Sequence, residues 1–172
     1  MANTYTLISS NTVGSGGVAS VTFSSIPATY TDLLIKFSAR TDAAGDTYDN
    51  LKVYPNSLST NLTSKYLGSY SGTTPFSGSS TTGIIANAAD GATATANTFG
   101  NSEIYIPNYA GATYKSMSID AVAETNAADG RQGLTAFLWS STTAISSLQI
   151  LPSAGTIFNQ YSTFYLYGIS KS

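Results

Sequence analysis

Apolar and polar residues alternate along several short stretches of this chain, and the alternation constrains the fold more than any other feature. In the clearest stretch, which ends at Arg40, the apolar positions of one set are Leu33, Ile35, Phe37 and Ala39. Because successive side chains of a β-strand point to opposite faces, such a pattern buries one face of an antiparallel sheet. The stretch is therefore predicted to be a strand with these four side chains in the core.

The same pattern recurs along the rest of the chain, whereas helix signals are poor. The alanine clusters near residues 86–96 and 121–128 lack an apolar stripe with a 3.6-residue period. Short strands separated by turn-rich connections are typical of an all-β, antiparallel β-sandwich, and a jelly-roll-like version is expected. The further strands are predicted at 4–9, 18–24, 51–54, 65–70, 99–107, 115–125, 131–140, 146–151 and 163–170.

The chain is predicted to form a single sandwich domain over residues 1–172, because no break divides it. The piece most like a linker is Ser71 to Asn97, which is rich in Gly, Ser, Thr and Ala. We interpret it as a long surface excursion at about 71–97 with a short strand at Ile84–Ile85. Low-complexity disorder is the alternative for this segment.

Two of the predicted strands, at 134–139 and 164–169, carry apolar side chains on both faces. A two-layer sandwich covers only one face of each sheet, so the second face of these strands needs a loop or a neighbouring subunit. We therefore predict a homo-oligomer interface. Its candidate residues are Phe137, Trp139, Tyr165, Tyr167 and Ile169.

The chain contains no histidine and no cysteine, which excludes several kinds of catalytic and metal site. A Ser-His-Asp triad and an imidazole ligand need histidine. A thiolate nucleophile, a disulfide and a cysteine-built metal site need cysteine. No catalytic motif is recognisable and no cofactor is expected, so the protein is interpreted as not an enzyme.

Only 9 % of the residues are charged, and the formal net charge is −2. Soluble monomers carry about 25 % charged residues, so this surface suits packing against copies of itself or against another protein. A polar extracellular β-protein is the alternative. The basic residues are scattered, so nucleic-acid binding is not expected. No apolar run reaches the roughly 20 residues that span a bilayer, and no signal-peptide pattern is visible, so no membrane association is expected.

The loop at residues 41–50 gathers three carboxylates, from Asp42, Asp46 and Asp49. Oxygen ligands in a flexible loop can hold calcium, which makes these residues a candidate metal site. Their spacing does not match an EF-hand. The alternative is a solvated turn in which Asp and Gly serve the turn geometry.

Two carbohydrate-related alternatives stay open. Glu103, Asp120 and Glu124 lie on neighbouring predicted strands, and paired carboxylates about 5 to 10 Å apart can hydrolyse glycosides. The twelve tyrosines, seven phenylalanines and one tryptophan could also include a sugar-stacking platform. We favour core and interface positions for these aromatic residues, because tyrosine is a good strand former with a polar tip.

Three phrases of the chain resemble small structural proteins of tailed bacteriophages, especially phages of cyanobacteria and marine bacteria. They are TYTLISSNTVGSGGVASVTFSSIPATYTDLLIKFSART, EIYIPNYAGATYKSMSI and TFYLYGISKS. The likeness covers most of the chain and is weakest at 71–97. It implies a virion component, with capsid decoration (cement) and tail-fibre roles both open, and it supplies no catalytic residues.

The sequence favours the decoration role, because it has no heptads and no collagen-like repeat from which a fibre shaft could be built. The expected protein binds the major capsid protein on the outer capsid surface as a homo-oligomer, a trimer closed by heterologous contacts. Binding to the assembled shell would stabilise that shell by mass action. The alternative is a tail-fibre or receptor- and glycan-binding module of the phage tail.

Overall fold

The structure, a computed structural model, describes residues 4–126 and 129–170, and these form twelve β-strands. Across these two ranges there is no helix long and apolar enough to cross a membrane. Residues 1–3, 127–128 and 171–172, which belong to the predicted 1–172 domain, lie outside the described residues. The strands are β1 Tyr5–Thr12, β2 Val21–Phe23, β3 Asp32–Ala39, β4 Tyr48–Pro55, β5 Leu62–Tyr70, β6 Thr74–Ser80, β7 Ile84–Asp90, β8 Gly100–Pro107, β9 Lys115–Glu124, β10 Gly130–Trp139, β11 Leu148–Pro152 and β12 Thr163–Ile169.

The strands form two sheets that share one hydrophobic core. The larger sheet has eight strands in the order β1-β12-β3-β8-β9-β10-β5-β6, and the smaller sheet has four in the order β2-β11-β4-β7. Every pairing between these strands is antiparallel. The predicted all-β antiparallel sandwich is therefore confirmed, and its jelly-roll version stays a prediction.

The core lies between the inner faces of the two sheets, as the alternating pattern predicts. In β3 the residues Leu33, Ile35 and Phe37 are buried while Lys36 is exposed. The smaller sheet contributes alternate residues of β4 and β11 to the same core, among them Leu51, Val53, Leu148 and Ile150. Each such aliphatic side chain stabilises the fold by about 1.5–3 kcal/mol when fully buried.

The strand predicted at Ile84–Ile85 is present but continues to Asp90 as β7, so the prediction of a surface excursion is wrong for residues 86–90. This strand is an edge of the smaller sheet, and six of its seven residues are buried. Its small side chains let its backbone approach the larger sheet closely. A Cβ atom added at Gly133 of β10 would lie 2.9 Å from the carbonyl oxygen of Ala86, and one added at Gly100 would lie 2.9 Å from the Cα of Ala89.

Hydrogen bonds between the two sheets accompany this close approach. The hydroxyl of Ser102 in β8 donates to the carbonyl oxygen of Ala88 over 3.1 Å. The backbone N–H of Ala86 donates to the hydroxyl of Thr135 in β10 over 3.4 Å. The alanine-rich composition of this segment therefore serves tight packing against the larger sheet. The other strand of the segment, β6, is an exposed edge strand.

The larger sheet has twice as many strands as the smaller one, and the inner side of the β5–β6 hairpin carries an aromatic cluster of its own. Tyr70 stacks on Phe76 with ring centroids 4.6 Å apart. The guanidinium of Arg131 lies between the rings of Tyr48 and Tyr70, 4.1 Å from each centroid. Because the rings and the guanidinium cover one another's faces, we assign this cluster a packing role.

Glycines opposite the aromatic residues make room for the cluster. In the β5–β6 ladder Gly78 pairs with Tyr66, and Gly68 pairs with Phe76. A Cβ atom added at Gly78 would lie within 2.7 Å of three atoms of the Tyr66 side chain. The ring of Tyr66 thus lies over the glycine, an arrangement that also restores side-chain packing at a residue without one.

We expect the substitution Gly78→Ala to lower the free energy of unfolding by about 1–3 kcal/mol, because the new methyl group displaces the Tyr66 ring. Gly14→Ala is the matched control, since a Cβ there meets nothing within 4 Å, and we expect it to change stability by less than about 0.5 kcal/mol. Urea unfolding of the two variants checks this. Equal stabilities would contradict the packing described here, and a smaller cost in a Tyr66→Leu background would support it.

Candidate interaction surface

The outer face of the eight-stranded sheet, which points away from the core, is rich in exposed apolar side chains. The strand registers place alternate residues of all eight strands on this face. Large contiguous apolar patches are uncommon on monomeric proteins and mark interaction sites. The large apolar side chains that are exposed on this face include Tyr5, Leu7, Leu67, Val122, Leu134 and Tyr165.

One end of the outer face carries a group that we call the tyrosine patch. It is built from β1 and β12, where Tyr5 pairs with Ile169 and Leu7 pairs with Tyr167. Tyr165 lies two residues further along β12 and is exposed. Three of the five predicted interface residues, Tyr165, Tyr167 and Ile169, therefore lie together on the outer face. The tyrosine patch consists of Tyr5, Leu7, Tyr165, Tyr167 and Ile169.

For the other two residues, the prediction of an interface position is wrong. Phe137 and Trp139 each expose only 1 % of their surface and lie in the core between the sheets. The opposite face of the same strand is the outer one, and Leu134 there is 54 % exposed. The pattern correctly separates the two faces of β10. It cannot tell which face is inner when both are apolar, and the larger aromatic side chains occupy the core.

A broad groove of about 920 Å³ crosses the outer face over β8, β9, β10, β5 and β6, and we call it the leucine groove. Small side chains, among them Ser118 and Ala136, form its floor, and larger ones rise on either side. Its volume is at the upper end of the range typical of ligand pockets, about 300–1,000 Å³. The leucine groove is lined by residues that include Lys65, Leu67, Tyr105, Ser118, Leu134 and Ala136.

The outer face carries few charged side chains, and two of them form an ion pair. The amino group of Lys36 lies 2.8 Å from a carboxylate oxygen of Glu103, and this hydrogen bond raises the pKa of Lys36. Asp120 pairs with Glu103 across β8 and β9, so two carboxylates face each other there. Like charges directly opposite in a sheet are unfavourable. The side chains of Asp120 and Lys65 make no hydrogen bond or ion pair with any other described residue.

Of the three candidate calcium ligands, Asp42 and Asp49 both lie against Gly155, whereas Asp46 lies beside Arg131. Within residues 4–126 and 129–170 no three acidic side chains form a group that could hold a metal ion. The carboxylate of Asp42 accepts hydrogen bonds from the backbone N–H groups of Thr156 and Ile157, 2.6 and 2.9 Å away. Burial raises the pKa of Asp42, but the hydrogen bonds from Thr156 and Ile157 outweigh burial and lower it.

Asp49 serves the same loop from inside the molecule. Its buried carboxylate accepts hydrogen bonds from the backbone N–H groups of Ala154 and Gly155, each 3.0 Å away, and from the hydroxyl of Thr41. Asp46 instead lies at the surface, 3.6 Å from Arg131. Asp42 and Asp49 thus anchor the loop at 153–157, a role that neither calcium binding nor a solvated turn predicts.

The carboxylates considered for glycoside hydrolysis lie on an open sheet. Glu103 and Asp120 are cross-strand neighbours on the outer face. Glu124 is four residues beyond Asp120 on β9, about 14 Å along an extended strand. The depression beside Glu103 and Asp120 has a volume of about 160 Å³. Ligand pockets begin at about 300 Å³, so the depression that Glu103 and Asp120 share is too small to enclose a sugar, although Asp120 also lines the leucine groove.

A second concave site, which the sequence analysis missed, lies at one end of the sandwich, and we call it the loop-end pocket. It has a volume of about 500 Å³ and is lined by Gly16, Gly17, Asn97, Phe99, Asn159, Gln160 and Tyr161, among others. Tyr161 is 66 % exposed and has a φ of 73°. A bulky residue in this left-handed conformation is strained by about 1–3 kcal/mol, and such strain is concentrated at functional sites.

Arg40 fixes one wall of the loop-end pocket. Its guanidinium donates to the carbonyl oxygens of Thr95 and Ala94, each 2.8 Å away, and also to those of Ala92 and Thr98. A single buried cation therefore orders the whole loop at 92–98. Neither the strain at Tyr161 nor this set of acceptors has a signature in the sequence, because both depend on residues distant along the chain.

No protein-family model matches the chain. Neither the curated proteins nor the solved structures give a match.

We expect Asp49→Ala to lower the free energy of unfolding by about 3 kcal/mol or more, because three donors lose their acceptor. Asp46→Ala is the control, from the turn before β4, and should cost less than about 1 kcal/mol, since Asp46 is exposed. Thermal unfolding with and without millimolar Ca²⁺ checks both points. A rise in Tm on adding Ca²⁺ that is lost in both variants would contradict this account and restore the calcium site.

Proposed function

We propose that this protein is a non-enzymatic structural protein of a virus particle, a decoration (cement) protein that binds the outer capsid and stabilises the shell. The observation that carries the proposal is the exposed apolar outer face of the larger sheet. Its tyrosine patch offers aromatic side chains, which dominate the binding energy of protein interfaces. The low content of charged residues supports the same proposal, because charged residues are depleted in the cores of interfaces.

The strand order supports the jelly-roll interpretation that accompanies this proposal. Without the hairpins β5–β6 and β9–β10, the larger sheet reads β1-β12-β3-β8 and the smaller sheet reads β2-β11-β4-β7. Successive strands then alternate between the sheets, except for the neighbours β4 and β7. Eight strands in two Greek keys define a jelly roll, an architecture of viral capsid and lectin domains. The likeness to jelly rolls concerns the fold alone. The proposed function rests on the exposed apolar side chains of the outer face.

The proposed mechanism is mechanical. The tyrosine patch contacts the major capsid protein, and burial of its side chains supplies the binding energy. A protein that binds the assembled shell but not the dissociated subunits shifts the equilibrium toward the shell. The non-enzymatic part of the proposal is supported by the open surroundings of Glu103 and Asp120 and by the commitment of Glu103 to Lys36.

The test is binding to shells that lack the protein. We expect labelled protein to appear on the capsid faces of such particles and to raise the temperature at which they lose their DNA. Tyr165→Asp places a charge in the tyrosine patch and should weaken binding at least about tenfold. Thr22→Asp is the control, because Thr22 is exposed on the smaller sheet. Label found on tails alone, or shells equally heat-resistant with and without the protein, would contradict the proposal.

Glycan binding is the second candidate function, and the loop-end pocket favours it. Tyr161 offers an exposed ring to the apolar face of a sugar, and Asn97 and Gln160 offer amides that can hydrogen-bond to hydroxyl groups. These groups belong to the mouth of a pocket that Arg40 holds in shape. A receptor-binding module of a phage tail would use such a site.

A glycan array probed with the purified protein, followed by calorimetric titration of any oligosaccharide found, checks this candidate. If the pocket is the site, Tyr161→Ala should lower affinity at least about tenfold, the effect typical of a central aromatic contact. Tyr114→Ala is the control, because Tyr114 is a similarly exposed tyrosine that does not line the pocket. Absence of binding to the array, or equal losses in both variants, would dismiss the pocket as a glycan site.

A further inference from the structure

We propose that a second copy of this chain binds in the leucine groove. Two copies pack with their outer faces together, and Lys65 of each lies opposite Asp120 of the other. The inference rests on the outer face being an interaction surface. It does not need the protein to belong to a virus particle, and the tyrosine patch takes no part in it.

The apolar part of the groove is suited to this contact. Leu67 and Leu134 are cross-strand neighbours on β5 and β10, and they are 58 % and 54 % exposed. Val122 on β9 extends the same apolar surface. Ser118 and Ala136, which pair with each other beside them, are small and leave room for the side chains of a facing sheet. Two sheets packed face to face lie about 10 Å apart, a spacing that side chains of this size fill.

The area is sufficient for a stable pair. The five strands from β8 to β6 cover about 24 Å across the sheet and about 30 Å along it, on the order of 700 Å² per copy. Two copies would therefore bury on the order of 1,400 Å², within the range of about 1,200–2,000 Å² for specific interfaces.

The charges on this surface complement themselves. Asp120 faces Glu103, whose own partner is Lys36, so Asp120 supplies an uncompensated carboxylate. Lys65 has Ala136 and Ser79 as its cross-strand neighbours, so no carboxylate lies opposite it. Asp120 and Lys65 are separated by two strand spacings and two residues along the strands, about 12 Å in all, which is too far for an ion pair within one copy.

A two-fold axis between the copies gives both Lys65 and Asp120 a partner of opposite charge. The axis lies midway between the two facing sheets, runs parallel to them and crosses the line from Lys65 to Asp120 at its midpoint and at a right angle. Rotation by 180° about this axis exchanges the two positions. Each lysine then lies over the carboxylate of the other copy. The same axis passes near Leu134 and Ala136, which lie between the two charges and pack against their own copies. Self-complementarity of one patch is the property that an isologous dimer requires. Two-fold pairing differs from the three-fold ring implied by the resemblance, which stays a prediction.

Sedimentation equilibrium of the purified full chain tests the pairing through charge reversal. We expect a wild-type dimer whose Kd rises at least about tenfold in Lys65→Glu and in Asp120→Lys, because each variant sets like charges opposite each other. The double variant Lys65→Glu/Asp120→Lys exchanges the charges and should regain a Kd within about threefold of the wild-type value. Lys52→Glu is the control, since Lys52 lies on β4 of the smaller sheet and should leave the Kd unchanged.

Several outcomes overturn the proposal. A wild-type monomer at millimolar concentration excludes it, and so does a trimer that persists in both single variants. Single variants that dimerise like the wild type, or a double variant weaker than either single one, exclude the Lys65–Asp120 contact. Circular dichroism and thermal unfolding establish that each variant is folded. Wild-type protein that binds shells but forms no dimer would defeat this inference alone, whereas wild-type dimers that do not bind shells would defeat only the proposed function.

Discussion

The close approach of β7 to the eight-stranded sheet is the constraint on which the rest of the molecule depends. Two sheets normally stand about 10 Å apart with side chains of both filling the gap. Here Ala86 and Ala89 face Gly133 and Gly100 at distances that leave no room for another methyl group. Hydrogen bonds from Ser102 and to Thr135 join the layers directly. Because β7 lies against the middle of the larger sheet, it fixes which face of that sheet is inner, and the opposite face is left without cover.

This asymmetry explains why the outer face has its unusual composition. A smaller sheet of four strands covers only one side of the sheet of eight. The overhanging β5–β6 hairpin closes its own inner side with stacked rings and Arg131. Nothing comparable covers the outer side of the described strands, where Leu67, Leu134 and Tyr165 are exposed. Six of the nine large apolar side chains that are exposed in the described chain therefore lie on this one surface.

Period-two alternation was sufficient to predict most of the strands, because it reflects which backbone positions face a core. It failed for β6 and for most of β7. The segment at 71–97 was interpreted as a surface excursion because glycine and alanine predict loops by composition. In β7 small residues instead reflect the short distance to the facing sheet, which cannot be read from the sequence.

The same limit applies to β10, where both faces are apolar and only the packing shows that Phe137 is inner and Leu134 outer. The role of Asp42 and Asp49 could not be predicted for a related reason. Their backbone donors come from residues 154–157, more than a hundred positions away.

The hydrogen bonds of the charged side chains distinguish the residues that stabilise the fold from those that are free to bind another molecule. Arg40 orders the loop at 92–98, and Asp49 anchors the loop at 153–157. Lys115, buried under three carbonyl oxygens, joins the turn at 111–113 to Ser141, and burial lowers its pKa. Such groups stabilise one conformation, and their removal would leave buried donors or acceptors unpaired. Lys65 and Asp120 have no comparable task within the described chain. On a surface where nearly every other ionised group has a partner in the same molecule, these two charges are informative because a second molecule can satisfy both.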